Sequence, residues 1–537
     1  MATPSIKCET LVIGAGLAGL CTALELLQQG RAVTLLDRAA FAQWGGQAND
    51  AFGGMLLSET PEQRRQGIRD SAELFFHDWQ QAAAFQPHEQ WGLSWAKAYS
   101  EYNRRDIYDW LSQQGIRFVP AVQWVERGNH GDGNSLPRYH IAWGCGRGVA
   151  QTLLRRLREH RNAHLLRCLE QHQVSQLLSH DGRVSGCCGQ HQGQAFSVHA
   201  EHTVICGGGI NGNLAKVRQH WDQDCYGAYP ENILNGTFAR ADGALHDMVD
   251  GLGGQVCNLG HMWNYAAGIA HPNPEFERHG LSLIPPRSAL WLDASGQRIG
   301  PMPLVSGFDT HDLCKQIGHL PGQYGWLLLN ARIADRELAI SGTDSNPLFR
   351  DRRLLALAWQ LLRGNRAQTR WLMQHCPDVI HAHDLSELAR KMRTLCADNR
   401  LQPEQLQAAV ARYDAQIARG PALHNDEQLR RIQQLRQWRS ERMRTCHFQS
   451  INAPAAGPLI AIRTRVISRK SMGGMLTDLS SRVLNAANQP VPGLYACGEA
   501  AGFGGGGISG RRSLEGTFLS NCIFTARRAA QCIATGG

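Results

Sequence analysis

Three glycines, Gly14, Gly16 and Gly19, stand at the spacing G-x-G-x-x-G, and an acidic residue, Asp37, follows further along. Residues of these types at this spacing do one kind of chemistry. Glycine backbone approaches a pyrophosphate, the unpaired N–H groups of a helix start bind its oxygens, and a carboxylate roughly twenty residues on accepts a ribose hydroxyl. The elements that must position them surround the motif. An apolar strand from Thr10 to Ile13 leads in, a helical pattern runs on to Gly30, and a second apolar strand ends at Asp37. The glycine spacing alone is weak evidence, but strand, helix and acid are in register here. The unit reads as βαβ, with Gly14, Gly16, Leu17, Ala18, Gly19, Asp37 and Arg38 expected to hold a dinucleotide.

Two further glycine clusters narrow the choice. "WGGQANDAFGGM", residues 44–55, follows the second strand directly. A nicotinamide domain has no need of it, whereas a flavin stretched across the fold needs backbone close to its phosphates and ring. FAD is therefore the expected cofactor, with Gly45, Gly46, Gln47, Ala48, Gly53 and Gly54 around it. Near the C-terminus, six of the ten residues from Gly498 to Gly507 are glycine. Glycine loses more backbone entropy on folding than any other residue, so this cluster implies an unusually close approach by a bound group. A helical segment, "SLEGTFLSNCIFTARRAA", comes directly after it.

The bulk numbers restrict the function classes. The 537 residues suffice for two or three domains. The net charge of +9, from 55 basic and 46 acidic residues, is spread along the chain, so no nucleic-acid partner is expected. The 16 cysteines are scattered without a C-x-x-C, which excludes zinc-ribbon, clustered iron–sulfur and c-type haem sites; no metal is expected. The start lacks a basic region before its apolar stretch and no run reaches transmembrane length, so a cytoplasmic location is expected.

Several segments resemble FAD-binding dehydrogenases of the fumarate reductase/succinate dehydrogenase flavoprotein superfamily, nearest its 3-ketosteroid Δ1-dehydrogenase-like members. They include "GGQANDAFGGM", "PRYHIAWGCGRG", "LWLDASGQR", "GFDT" and "SRKSMGGMLTD". The motif resemblance covers about residues 1–60, 200–270 and 455–537. It implies an α/β fold, a discontinuous Rossmann-type FAD domain with an inserted α+β capping domain. The corresponding boundaries are 1–262, 263–470 and 471–537. It further implies that Val174 meets the adenine, that Gly207 and Gly208 close the nucleotide half, and that Gly498 and Glu499 meet the ribityl chain. Ser513, Leu514, Gly516 and Thr517 would face the flavin at a helix start. Relatives that attach flavin covalently use a histidine in the second glycine loop; none lies between Trp44 and Met55, so FAD is expected to be non-covalent.

The same resemblance implies hydride exchange with a carbon next to an activated C–C bond, while a protein group moves the neighbouring proton. Fumarate reductases clamp a dicarboxylate with arginines and histidines. Here the cap histidine falls near Tyr265, the histidine before "MGG" becomes Arg469 or Lys470, and the flavin-domain arginine aligns near Arg512 or Ser513. The clamp is mostly missing, which turns the expectation toward dehydrogenation of a ketosteroid-like or other activated carbonyl compound. Tyr265 is then expected to act as a tyrosinate, its phenol lowered from about 10 by Lys470 or Arg469. Tyr139, His140 and Tyr324 are secondary candidates. Trp263, Trp291, Phe308 and Trp326 line an apolar slot or form the cap core. An enoate or fumarate-type reductase running the reverse reaction is the alternative, and a non-catalytic flavin-binding protein the lesser one. The partners expected are a small-molecule substrate and an electron acceptor, either a quinone or a redox protein.

Overall fold

The computed structural model describes residues 5–397 and 399–536. Two large sheets organise it. In the first, the strand Ser5–Ile13 lies parallel to both Val33–Leu36 and Gln194–Ile205, with Val12 opposite Leu35 on one side and Val204 on the other. Leu11, Val12, Leu35, Val204 and Ile205 are all fully buried, as a parallel strand covered on both faces requires. Leu166–Leu169 extends one edge. On the other side Pro490–Ala496, from the far end of the chain, pairs in parallel with Gln194–Ile205. The helices Leu17–Gln28 and Thr517–Ala534 pack on each other against this sheet. The nucleotide-binding layer is thus closed by the two ends of the chain, as the α/β, Rossmann-type reading expects.

The second sheet is built around one long strand, Leu459–Ser471, of 13 residues. It pairs antiparallel with Met262–Ala270, Tyr324–Asn330 and Val379–Ala382, and parallel with Leu234–Asn235. The helices Leu385–Cys396, Pro403–Ala418 and Glu427–Leu435 bury Leu388, Met392, Leu406, Val410, Leu429 and Ile432 in its core. Helical spacing of apolar residues in these three segments is what makes each one a cover for a sheet face. Trp326 lies in this core, while Phe308 packs apart from it with Val305 and Leu435.

A helical stretch from Ala72 to Gln113 links the nucleotide layer to a small two-stranded sheet, Gly54–Leu56 with Tyr139–Ile141. That pairing is anchored by Arg138, which is wholly buried. Its Nε and Nη2 donate to the two oxygens of Asp70 at 2.8 Å each, and Nη1 donates to Asp78. Removing the guanidinium would leave two buried carboxylates without their cation, which costs about 3–5 kcal/mol. Arg138→Met should therefore lower the free energy of urea unfolding by about that much; a loss below about 1 kcal/mol would contradict the anchoring role.

Candidate active site

The helices Leu17–Gln28 and Thr517–Ala534 both begin on a glycine, Gly16 and Gly516, and neither start is capped by a side chain. Both glycines line one cavity of about 260 Å³, so two positive helix ends face the same space. The glycine loops are packed as the motif demands. Gly14 sits at φ +108°, and a Cβ there would stand 2.4 Å from the Cys206 carbonyl. A Cβ on Gly16 would meet no protein atom within 4 Å, because it would project into the cavity. The second loop docks on the first: Gly45 N–H donates to the Ala15 carbonyl at 2.8 Å. Asp37 is fixed at its strand end by Ala15 N–H at 2.6 Å and Ala39 N–H at 2.7 Å.

Most residues named from the sequence meet at this cavity. Its wall includes Gly14, Gly16, Leu17, Ala18, Asp37, Arg38, Gly46, Gln47, Ala48, Gly53, Gly54, Val174, Gly207, Gly208, Glu499 and Gly516, together with Tyr265, Arg469 and Lys470. Gly19, Gly45, Gly498, Ser513, Leu514 and Thr517 stand behind the wall. Gly19 packs against the Gly14 carbonyl, where a Cβ would come within 1.9 Å. Gly498 N–H donates to Thr525 Oγ1 at 2.9 Å, and the Ser513 hydroxyl lies 3.2 Å from that of Thr517. Arg512 is elsewhere, paired with Asp132 at 2.6 Å and Asp309 at 2.7 Å. His140 is turned away too. It bonds Thr60 and the Arg138 carbonyl, and burial pushes its pKa down to about 4. Tyr324 lies in the second sheet, outside this wall.

A second cavity, of about 160 Å³, adjoins the first; Phe52, Tyr139, Tyr265, Ser341 and Glu515 belong to both walls. Trp291 lines it, beside Ala266, Leu283, Ile284 and Leu313. At the junction the Tyr265 hydroxyl donates to Glu515 Oε2 at 2.7 Å, and Trp263 Nε1 donates to the same oxygen at 2.7 Å. Burial and the Glu515 charge together hold the Tyr265 phenol well above its ordinary value. The expected depression toward a free tyrosinate is thereby reversed. Arg469 and Lys470 do flank the ring, at 5.8 and 5.5 Å from its centroid, but the carboxylate bonded to the hydroxyl outweighs them. Burial pushes Lys470 itself down to about 8, and Glu499 up to about 7 despite a bond from Ser471 N–H at 2.9 Å.

Glu515 escaped the sequence reading. Its only signal there is its place immediately before Gly516, in "SLEG"; the contact with Tyr265, 250 residues away, exists only in the fold.

A family model described as "FAD binding domain" matches residues 9–519. The chain belongs to this family. It is an FAD-dependent oxidoreductase, and the two uncapped helix starts, the glycine cradle and Asp37 fit that cofactor. The chain is 38% identical to a KsdD-like steroid dehydrogenase of Mycobacterium tuberculosis over 98% of its own length and 95% of the relative's. It is 37% identical to a KsdD-like steroid dehydrogenase of Mycolicibacterium smegmatis, over 95% and 96% of the two chains. The solved 3-ketosteroid Δ1-dehydrogenase of Sterolibacterium denitrificans, in complex with 1,4-androstadiene-3,17-dione, shares the fold with a TM-score of 0.73 at 14% identity, covering 99% of this chain and 100% of that one. Among the described residues no cluster of potential metal ligands occurs, and no helix is long and apolar enough to cross a membrane.

Gly16→Val places two methyl groups in the open space of the first cavity, beside the uncapped helix start. The purified variant is expected to keep its far-UV circular dichroism while losing bound FAD at least about tenfold, read from flavin absorbance per chain. Full flavin occupancy would refute the assignment of this cavity.

Proposed function

We propose that this enzyme dehydrogenates a CH–CH bond next to the carbonyl of a ketosteroid-type substrate, with Tyr265 and Glu515 removing the proton. The observation that carries this reading is the Tyr265–Glu515 bond at the junction of the two cavities. It is supported by the steroid dehydrogenases that the chain resembles at 38% and 37% identity. Bound FAD supplies the acceptor for the hydride that leaves the neighbouring carbon. The chain's own residues do the rest.

A carbon acid beside a carbonyl needs a base in contact with its proton. The Tyr265 oxygen takes that proton while its own passes along the 2.7 Å bond to Glu515. The carboxylate is the final proton holder, so no free tyrosinate has to form in a buried site. Burial lowers Lys470 to about 8, and the neighbouring Glu515 charge opposes that fall. Trp263 fixes the same carboxylate oxygen from the other side. The apolar wall of Ala266, Leu283, Ile284 and Leu313 keeps water from the developing enolate and suits a bulky hydrocarbon body.

The nucleotide half of the cofactor is held by Gly14, Gly16, Asp37, Gly207 and Gly208, and the flavin half by Gly46, Gln47, Gly53, Gly54, Glu499 and Gly516. Attachment is non-covalent, in keeping with a second glycine loop that carries no histidine between Trp44 and Met55. The 16 cysteines are scattered through the chain without disulfide-framework spacing, which fits a reducing cytoplasm.

Anaerobic titration with a 3-keto-4-ene steroid is expected to bleach the oxidised flavin. Tyr265→Phe and Glu515→Gln should each slow that bleaching by about 10²–10⁴-fold in stopped-flow measurements. A steroid that leaves the flavin oxidised, together with an enoate that reoxidises the reduced enzyme, would instead make this a reductase.

A further inference from the structure

The wall of the second cavity carries charged groups that the proton transfer does not use. Arg287, Glu441 and Arg444 all line it. Arg287 is 5% exposed and reaches Glu441 through Nη2 at 2.8 Å, while its Nε and Nη1 have no hydrogen-bond partner. Among the described residues Arg444, half-buried on this wall, has neither a hydrogen bond nor an ion pair. A third guanidinium, Arg127, stacks behind the wall on Trp124 at 4.0 Å, with Nη2 unbonded. Burial pushes Arg127 down to about 10, with Arg287 adding to the fall and Glu441 opposing it.

Three cations therefore gather around one carboxylate. The other acids nearby do not restore balance. Glu515, on the same wall, is taken up by Tyr265 and Trp263. Glu337 is taken up by Ser288 and by the Cys446 N–H. Glu126 is taken up by the N–H and hydroxyl of Thr310, while burial and Asp309 push its carboxyl up to about 8. Buried guanidinium groups without counter-charge or acceptor are strongly disfavoured, and a planar fork of N–H donors is matched by a carboxylate. We propose that the substrate carries a carboxylate, received by Arg444 and the free edge of Arg287, while its ketone end lies at Tyr265. The proposal rests on the ketone dehydrogenase reading above and narrows it to acidic substrates.

The test compares a 3-keto-4-ene steroid bearing a side-chain carboxylate with its methyl ester, on the FAD-loaded enzyme. Dissociation constants are read from quenching of tryptophan fluorescence, and turnover separately from flavin bleaching. The acid is expected to bind at least about tenfold more tightly than the ester, as a charge-assisted bidentate contact warrants. Arg444→Met should bring the two within about twofold, whereas Arg444→Lys should retain part of the preference. Among the described residues Arg444 makes no hydrogen bond or ion pair, so its replacement breaks neither. Equal affinity of acid and ester for the wild-type enzyme overturns the anion site, as does failure of both to bind. Acid preference without flavin bleaching leaves the anion site standing and removes the dehydrogenase reading alone. Bleaching by both compounds at equal affinity does the reverse.

Discussion

Two helix starts separated by 500 residues in the chain, at Gly16 and Gly516, must face the same cavity. A diphosphate and a reducible ring are both served by N–H groups with no partner of their own, and a helix N-terminus is the economical way to present them. Everything else in the nucleotide layer follows from that double requirement. Pro490–Ala496 must pair with Gln194–Ile205 to deliver the second helix, and the two helices must pack on each other to aim together. The first sheet is closed by the two ends of the chain, so the strands of the second sheet fall between them in sequence.

The second dependence is electrostatic. Glu515 belongs to the same turn as Gly516, so the segment that starts the C-terminal helix also places a carboxylate against the Tyr265 hydroxyl. The helix start and the carboxylate are thereby registered by adjacent backbone atoms. Further into the second cavity the balance of charge tips the other way, with Arg127, Arg287 and Arg444 around Glu441. An apolar slot with a carboxylate–phenol pair on one part of its wall and unsatisfied guanidinium groups on another discriminates among hydrocarbon-bodied ligands by their polar ends.

What was legible in the sequence was local. The βαβ unit around Gly14–Asp37 declares itself because strand, turn and helix are contiguous and each leaves its own periodicity. The glycine loops at 44–55 and 498–507 are equally plain, since dense glycine has a cost that only close approach explains. Glu515 and Arg444 left no such trace. Glu515 meets Tyr265, and Arg444 reaches the wall of the second cavity, only through packing, and neither has a spacing signature. Tyr265 marks the limit between the two cases. Its place near the cavity was open to reading from a resemblance, but its proton affinity depends on one hydrogen bond from a distant turn, and that bond reversed the expected shift.

The strand Leu459–Ser471 has a consequence of a different kind. Its first residues pair with Asn330 and Ala382 deep in the second sheet. Its last, Ser471, donates its N–H to Glu499 on the cofactor wall and its hydroxyl to Asn211. One continuous backbone is therefore both the middle of the second sheet and a beam ending at the wall of the first cavity. The cover is not a cassette that recombination can lift out and exchange. Excised before this strand, it loses its central partner; excised after it, the pocket loses the groups that orient Glu499. Novel specificities in this architecture must accordingly arise by substitution along the cavity wall, with the beam left in place.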